Sequence, residues 1–144
     1  MIKKLAIVMA AVIFVIGIVC AGEAADKTPE LLVKEAKAAI KEVTINDVKN
    51  MLDAKENVVL LDVTDKNEFE LGHLPGAINI SRGTLEFKVA TLIPDKNSKI
   101  IVYCGTDRRS PLATMTMNDL GYKNAVNMAG GLKAWKEAGY PIVK

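Results

Sequence analysis

The sequence predicts an α/β fold in which a five-stranded parallel sheet is covered by helices on both faces. Short apolar and β-branched segments, typical of strands, recur along the chain at 43–45, 58–63, 77–80, 99–103 and 125–128. Helical patterns separate these segments, and connections of this kind join parallel strands. The second segment is apolar nearly throughout, as expected for a strand that is buried on both faces.

Caps and turn residues place the helices between these strands. Thr28 followed by Pro29 is typical of a helix start and predicts a helix at 28–42. Asn46 is expected to cap the next helix, at 47–53. Four further helices are expected from similar signals: a short one around Glu68, and others at 84–92, 110–120 and 132–137. The chain is therefore expected to alternate strands and helices to its end.

The composition excludes several classes of protein. Half of the 144 residues are hydrophobic and a quarter are charged, so the chain can close one core and is not disordered. Nineteen Lys and Arg against 17 Asp and Glu give a net charge of +2 without a basic block, which argues against nucleic-acid binding. Two cysteines and one histidine are too few for a disulfide framework or a His/Cys zinc site. We expect neither a metal nor an organic cofactor.

The N-terminus is typical of a secretory signal peptide. Lys3 and Lys4 precede an apolar stretch at 5–19, and small residues follow it. We expect cleavage after Ala24, with an uncleaved membrane anchor or a lipid-modified Cys20 as the alternatives. All three place the remaining chain outside the cytoplasm, in the periplasm of a bacterium. Membrane contact is expected only through this segment, if it is retained.

The chain is therefore divided into three parts: a signal segment at 1–24, an added helical segment at 25–42, and one domain at 43–144. Cleavage would remove Cys20 and leave Cys104 as the sole cysteine. A lone cysteine in an exported domain cannot form an internal disulfide, so it is either an inert buried residue or a reactive thiol. The surroundings of Cys104 favour a reactive thiol.

Cys104 lies where the clearest central strand ends. Ligands of parallel sheets bind at the carboxyl ends of strands, and here a short polar loop follows before Pro111 sets helical φ. Backbone N–H groups in such a loop and at a helix start attract anions, which favours a thiolate at Cys104. The candidate site comprises Cys104 as nucleophile and the loop residues Gly105, Thr106, Asp107, Arg108, Arg109 and Ser110.

Several side chains near this loop have two candidate roles. Ser110 is expected to cap the following helix, and its hydroxyl could also donate to the cysteine sulfur. Arg108 and Arg109 are unfavourable beside a helix N-terminus, which suggests that an anion sits between them. Arg82, after the third strand, could reach the pocket beside this loop or lie free at the surface. His73, the single histidine, is expected to hold a turn through hydrogen bonds rather than act as a base.

The loop resembles that of the single-domain rhodaneses, a family of sulfurtransferases. The family loop has a cysteine, four residues, an arginine and a serine, which Cys104, Arg109 and Ser110 match. Related phosphatases and arsenate reductases have five residues between cysteine and arginine. The shorter loop suits a terminal sulfur atom better than a phosphoryl group, so phosphatase activity is the less favoured enzymatic alternative.

Two other motifs resemble the same family and occur in the family order, one within 61–79 and one within 130–141. The resemblance extends from about Val43 to the C-terminus and implies the same α/β fold. It does not include the helix predicted at 28–42. The loop departs from the family pattern at Gly105 and at Asp107. The acidic side chain lowers the positive charge of the loop, although Asp tolerates a positive φ.

The resemblance implies sulfur transfer through a persulfide on Cys104. The thiolate would attack a small anionic donor such as thiosulfate or polysulfide, and cyanide, a thiol or a protein acceptor would then remove the sulfur. Arg109, with Arg108, would orient the anionic donor. The alternative is a non-catalytic persulfide relay or sulfur-sensing module, for which the helix at 28–42 could be the docking surface of a partner protein.

Overall fold

The computed structural model describes residues 26–144, so the predicted signal segment at 1–24 lies outside the described residues. Five strands form one sheet: β1 (Glu42–Val43), β2 (Val59–Asp62), β3 (Ile78–Asn79), β4 (Ile100–Tyr103) and β5 (Ala125–Met128). Their spatial order is β1-β5-β4-β2-β3, and all paired strands are parallel. The predicted five-stranded parallel sheet is confirmed, with strand ends that differ from the expectation by at most two residues.

Helices follow the strands and cover both faces of the sheet. They are α1 (Pro29–Ala39), α2 (Ile45–Asp53), α3 (Lys66–Leu71), α4 (Leu85–Leu92), α5 (Arg109–Asp119) and α6 (Gly131–Glu137). A single 3-10 turn at Arg82–Thr84 precedes α4. Within residues 26–144, none of these helices is long and apolar enough to cross a bilayer.

The start of α2 differs from the sequence expectation, because its cap is Thr44 and not Asn46. The Thr44 hydroxyl accepts from the Asp47 N–H at 3.1 Å, and the Asp47 carboxylate accepts from the Thr44 N–H at 2.9 Å. These reciprocal bonds form a capping box. The Thr44 hydroxyl, which donates to the Asp47 carboxylate at 2.7 Å, and the Thr44 N–H lower the pKa of Asp47. The helix therefore begins at Ile45, and the strand expected at 43–45 ends at Val43.

Side chains alternate between the two faces along the central strands, which divides the core into two halves. On one face, sheet residues pack against helices α4 and α5, through Leu61, Ile100, Val102, Leu85, Val89 and Met117. On the other face, sheet residues pack against α2 and α6, through Leu60, Ile101, Tyr103, Val48, Leu132 and Trp135. The carboxyl ends of β2, β4 and β5 therefore lie side by side between two packed layers of helices.

Helix α1 lies against α5, and its Ala36 is fully buried. The hydroxyl of Thr28 accepts from the Leu31 N–H at 3.2 Å and caps the helix, as the sequence suggests. The helix ends at Ala39 and not at 42, because Glu42 and Val43 pair with β5. This position brings polar side chains of α1 next to the loop that leads into α5.

The turn after α3 contains His73. Its ring stacks on Phe69 with the ring centroids 3.6 Å apart, and its Nδ1 lies 2.9 Å from the Phe69 carbonyl oxygen. Its backbone pairs with that of Val143. Next to it, the Leu74 N–H donates to the hydroxyl of the buried Tyr103 at 3.1 Å. These contacts join the turn to α3, to β4 and to the C-terminus.

Candidate active site

Cys104 directly follows the central strand β4 and is only 1% exposed. The backbone N–H of Ser110, in the first turn of α5, points at the cysteine Sγ at 3.4 Å. The loop 105–109 therefore closes around the sulfur, and its two ends meet there. This is the edge of the sheet at which the parallel-strand rule places a ligand.

The start of α6 is hydrogen-bonded to the start of the cysteine loop. The N–H groups of Leu132 and Lys133 donate to the carbonyls of Cys104 and Gly105 at 2.8 and 2.9 Å. Gly131 has φ of +60°, and a Cβ at this position would lie 2.5 Å from the Cys104 carbonyl oxygen. Only glycine therefore lets α6 approach the loop this closely. The sequence motif at 130–141 thus has a direct structural reason.

Asp107 determines the path of the loop. Its φ is +61°, a conformation that Asp adopts more readily than most residues. Its carboxylate, 12% exposed, accepts from the Asn127 amide at 2.8 Å, from the Gly130 N–H at 3.0 Å and from Lys37 Nζ at 2.5 Å. The sequence suggested that this carboxylate lowers the positive charge of the loop and that Asp tolerates a positive φ there. In the structure the same carboxylate connects the loop to β5, α6 and α1.

Arg109 forms a two-pronged ion pair with Glu68 of α3, with N–O distances of 2.7 and 2.8 Å. The hydrogen bonds from Arg109 lower the pKa of Glu68 to about 2, and the same bonds raise the pKa of Arg109. The guanidinium that the sequence assigned to an anionic donor is therefore already paired with a carboxylate. The partner Glu68 lies 41 residues away in sequence.

Arg108 turns away from Arg109. It is exposed and reaches Glu30 of α1 at 3.1 Å. Each guanidinium group pairs with a different carboxylate of this chain, and the expectation that one anion sits between the two groups stays a prediction. Two carboxylates also remove the electrostatic argument for that expectation, because they offset the unfavourable placement of arginines at a helix start.

Ser110 does not cap α5, because the helix already begins at Arg109 and Arg108 is its N-cap. Ser110 lies one position inside the helix, where its side chain is fully buried. Its hydroxyl has no hydrogen-bond partner among residues 26–144. Buried hydroxyls are normally paired, so this one is a free donor in the wall of the cysteine site.

The other two candidate residues lie further out. Thr106 is exposed at the tip of the loop. Arg82 donates to Glu86 at 2.8 Å and to the Thr116 hydroxyl at 3.1 Å, and none of its hydrogen bonds or ion pairs within residues 26–144 involves the loop. A role of Arg82 toward the donor stays a prediction.

An open cavity of about 360 Å³ adjoins the loop. Polar and apolar groups line it: Thr64, Glu68, Leu71, Gly105, Leu132, Lys133 and Lys136. Sequence reasoning did not single out the two lysines. They lie three residues apart on α6, one turn of helix, and that spacing was the only signal for them.

The family is decided by a match over most of the described chain. The model of the rhodanese-like domain matches residues 44–138. The chain belongs to the rhodanese-like domain family. The predicted membership is confirmed, and the match covers the strands β2 to β5, the cysteine loop and α6. Helix α1 lies before the matched residues.

Relatives of this rhodanese-like protein include sulfurtransferases. The protein YrkF of Bacillus subtilis (strain 168) is 32% identical over 101 residues, 70% of this chain, and the chain spans about half (54%) of its length. Thiosulfate sulfurtransferase PspE of Escherichia coli (strain K12) is 38% identical over 73 residues, which are 51% of this chain and 69% of PspE. Among solved structures, the polysulfide-sulfur transferase homodimer of Wolinella succinogenes superposes with a TM-score of 0.69 at 32% identity. That likeness covers 85% of this chain and 91% of the other.

Proposed function

We propose that the protein is a sulfurtransferase that carries a sulfane sulfur on Cys104. The donor is a small anionic sulfur compound, thiosulfate or a polysulfide, and the acceptor is a thiophile, cyanide in an assay and a thiol or protein in the cell. The observation that carries the proposal is the enclosed sulfur of Cys104 at the carboxyl end of β4, with the Ser110 N–H aimed at it at 3.4 Å. An N–H donor stabilises sulfur as an anion, the state required of a nucleophile.

The first half-reaction loads the enzyme. The Cys104 thiolate attacks the outer sulfur of thiosulfate, a new S–S bond forms, and the original S–S bond breaks with its electron pair leaving on sulfite. A persulfide anion remains on Cys104. The backbone N–H of Ser110 already points at the cysteine sulfur, and the unpaired Ser110 hydroxyl is available to donate to the added sulfur. Such fixed donors stabilise the negative charge without reorganisation.

The second half-reaction returns the enzyme to its starting state. Cyanide attacks the terminal sulfur of the persulfide, the S–S bond breaks toward Cys104, and thiocyanate leaves with the thiolate regenerated. A thiolate acceptor takes the sulfur in the same way and becomes a persulfide itself. Because donor and acceptor react at separate times with one cysteine, ping-pong kinetics are expected.

Positively charged lysines in the cavity beside the loop attract the anionic donor. Arg109 is held by Glu68, so its charge is largely offset at the cavity wall. Lys133 and Lys136 are exposed there, and within residues 26–144 their ion pairs amount to one loose contact of 3.9 Å between Lys133 and Glu137. The apolar Leu132 and Leu71 complete the wall. A chain of sulfur atoms with charged ends fits such a lining, as does the smaller thiosulfate.

Turnover distinguishes this proposal from the relay alternative. The purified protein is supplied with thiosulfate or tetrasulfide and with cyanide, and thiocyanate is measured over many enzyme equivalents beside Cys104→Ser. Repeated turnover with parallel lines in double-reciprocal plots supports the sulfurtransferase. A single equivalent of thiocyanate per protein supports a relay that a partner must reload. Activity retained in Cys104→Ser contradicts both.

For the N-terminus, we propose export with cleavage after Ala24, on the basis of the signal-like residues 1–24. The test is N-terminal sequencing and the intact mass of the protein recovered from a bacterial periplasmic fraction. A mature chain that begins at Ala25 supports the proposal. An uncut chain in the membrane fraction supports the anchor, and a lipid mass on Cys20 supports lipidation.

A further inference from the structure

Lys37 of α1 lies outside the residues that match the family but contacts the cysteine loop directly. Its Nζ is 2.5 Å from Asp107 Oδ2, and the next carboxylate, that of Glu42, is 3.8 Å away. The Lys37 side chain is about one third exposed and that of Asp107 is 12% exposed, so the pair is partly shielded from water. Burial lowers the pKa of Lys37, but the hydrogen bonds and charge interactions with Asp107 and Glu42 together outweigh it and raise the pKa, so the side chain is charged at neutral pH.

An acidic side chain in this loop presents an electrostatic difficulty. The loop must attract an anionic donor and stabilise a sulfur anion, and a poorly solvated carboxylate three residues from Cys104 opposes both. The carboxylate nevertheless has a structural task, because it accepts from the Asn127 amide and the Gly130 N–H and so fixes the positive φ of Asp107. A cation at Oδ2, the oxygen that also accepts from the Gly130 N–H, leaves these bonds in place and offsets the negative charge.

We propose that Lys37 is a positioning residue of the sulfur-transfer site: it neutralises Asp107, so that the loop binds anions although it contains an acidic residue. Helix α1 is then part of the active site of this protein and not only an added surface. The packing of α1 on α5 around the buried Ala36 places the lysine at the loop. The ion pair of Lys37 with Asp107 also connects two features in which this chain departs from the family pattern, the added helix α1 and the acidic loop residue.

The proposal rests on the proposed function for its biological meaning, but its test does not require sulfur transfer. Alkylation of Cys104 is measured with iodoacetamide, which is neutral, and with iodoacetate, which is an anion, on the full chain at low ionic strength. The reaction is followed on the Cys104 peptide by mass spectrometry, so that Cys20 does not interfere. Both reagents need the thiolate, so the ratio of their rate constants reports the local electrostatic potential alone.

Lys37→Met is expected to lower the iodoacetate-to-iodoacetamide ratio by about fivefold, the size expected when one unit charge is removed within a Debye length. Lys37→Arg should retain the ratio, and Lys37→Met combined with Asp107→Asn should restore it. The matched control is Lys34→Met, one turn earlier on the same helix, which should change the ratio far less. In the thiosulfate assay Lys37→Met should raise KM and leave kcat nearly unchanged, with the defect reduced at high salt.

Three results would overturn the proposal. An unchanged ratio in Lys37→Met would mean that the lysine does not affect the potential at the sulfur. Equal slowing with both reagents would indicate an altered loop shape and not a charge effect. An equal loss of ratio in Lys34→Met would indicate a general effect of net charge. Failure of sulfur loading in the wild type would contradict the proposed function, and the alkylation ratio would still test the role of Lys37.

Discussion

The ion pair between Glu68 and Arg109 joins α3 to the cysteine loop, and Glu68→Gln tests what it contributes. The substitution keeps the size of the side chain and some hydrogen bonding but removes one negative charge beside the loop. Two effects are expected in opposite directions. The folded state loses the ion pair, and the guanidinium of Arg109 becomes available to an anionic donor.

The magnitude follows from the pKa of Glu68, which falls from 4.5 to about 2 on folding, chiefly through the hydrogen bonds from Arg109. At 1.36 kcal/mol per pKa unit this corresponds to an upper bound of about 3 kcal/mol. Since the two side chains are 36% and 41% exposed, solvent screens the pair, and we expect about 1 kcal/mol. A carboxyl whose pKa is lowered on folding stabilises the protein above its unfolded pKa. That stabilisation is therefore complete above about pH 4.5 and is lost as the pH falls toward 2.

Urea unfolding at pH 7 and pH 3 measures this contribution. Glu68→Gln should be less stable than the wild type by about 1 kcal/mol at pH 7, and by less than half of that at pH 3. At pH 7 the KM for thiosulfate should fall, because the site gains one net positive charge. Equal loss of stability at both pH values would refute the ion-pair argument. A higher KM in a stably folded variant would refute the argument that Glu68 offsets the charge of Arg109.

Three further variants test the loop and its cavity. Gly131→Ala places a Cβ 2.5 Å from the Cys104 carbonyl oxygen at a φ of +60°. The substitution should therefore lower the free energy of unfolding, measured by urea titration, by about 1–3 kcal/mol. A variant as stable as the wild type would contradict the close packing of α6 on the loop. Ser110→Ala removes a buried hydroxyl without a partner, so the free energy of unfolding should not fall. The rate of persulfide loading should fall about tenfold, the effect expected when one hydrogen bond to a charged sulfur is lost. An unchanged rate would show that the hydroxyl has no part in the mechanism. Lys133→Gln combined with Lys136→Gln should raise KM for tetrasulfide and for thiosulfate by about threefold or more at low salt. The control is Lys88→Gln, at an exposed lysine of α4. An equal rise of KM in that variant would contradict a role of the cavity in donor binding.

The fold could be predicted from the sequence because its determinants are local. The strand at 99–103 and the strand at 125–128 are apolar runs between polar turns, and they lie at β4 and β5 almost residue for residue. The cap of α2 was missed because two signals compete there. Thr44 and Asn46 both favour caps, and only the reciprocal pairing of Thr44 with Asp47 decides between them.

The candidate site was predicted in its position but not in its contacts. Cys104 and its loop follow a strand, and the rule for parallel sheets places them at the functional edge without further information. The partners of the charged loop residues lie 41 residues away for Arg109, 70 for Asp107 and 78 for Arg108. Such pairings depend on how the helices pack, which no local pattern encodes. The sequence therefore suggested arginines that hold an anionic ligand, and the structure pairs each of them with a carboxylate of this chain.

The intact mass of the protein shows directly whether Cys104 carries a persulfide. The purified protein is incubated with thiosulfate and separated from it, and its intact mass is measured by mass spectrometry beside that of Cys104→Ser. The account predicts a gain of one sulfur atom in the wild type, its complete removal by cyanide, and no gain in the variant. A gain that persists in Cys104→Ser would contradict the account, as would a folded wild type that gains no sulfur from thiosulfate or from tetrasulfide.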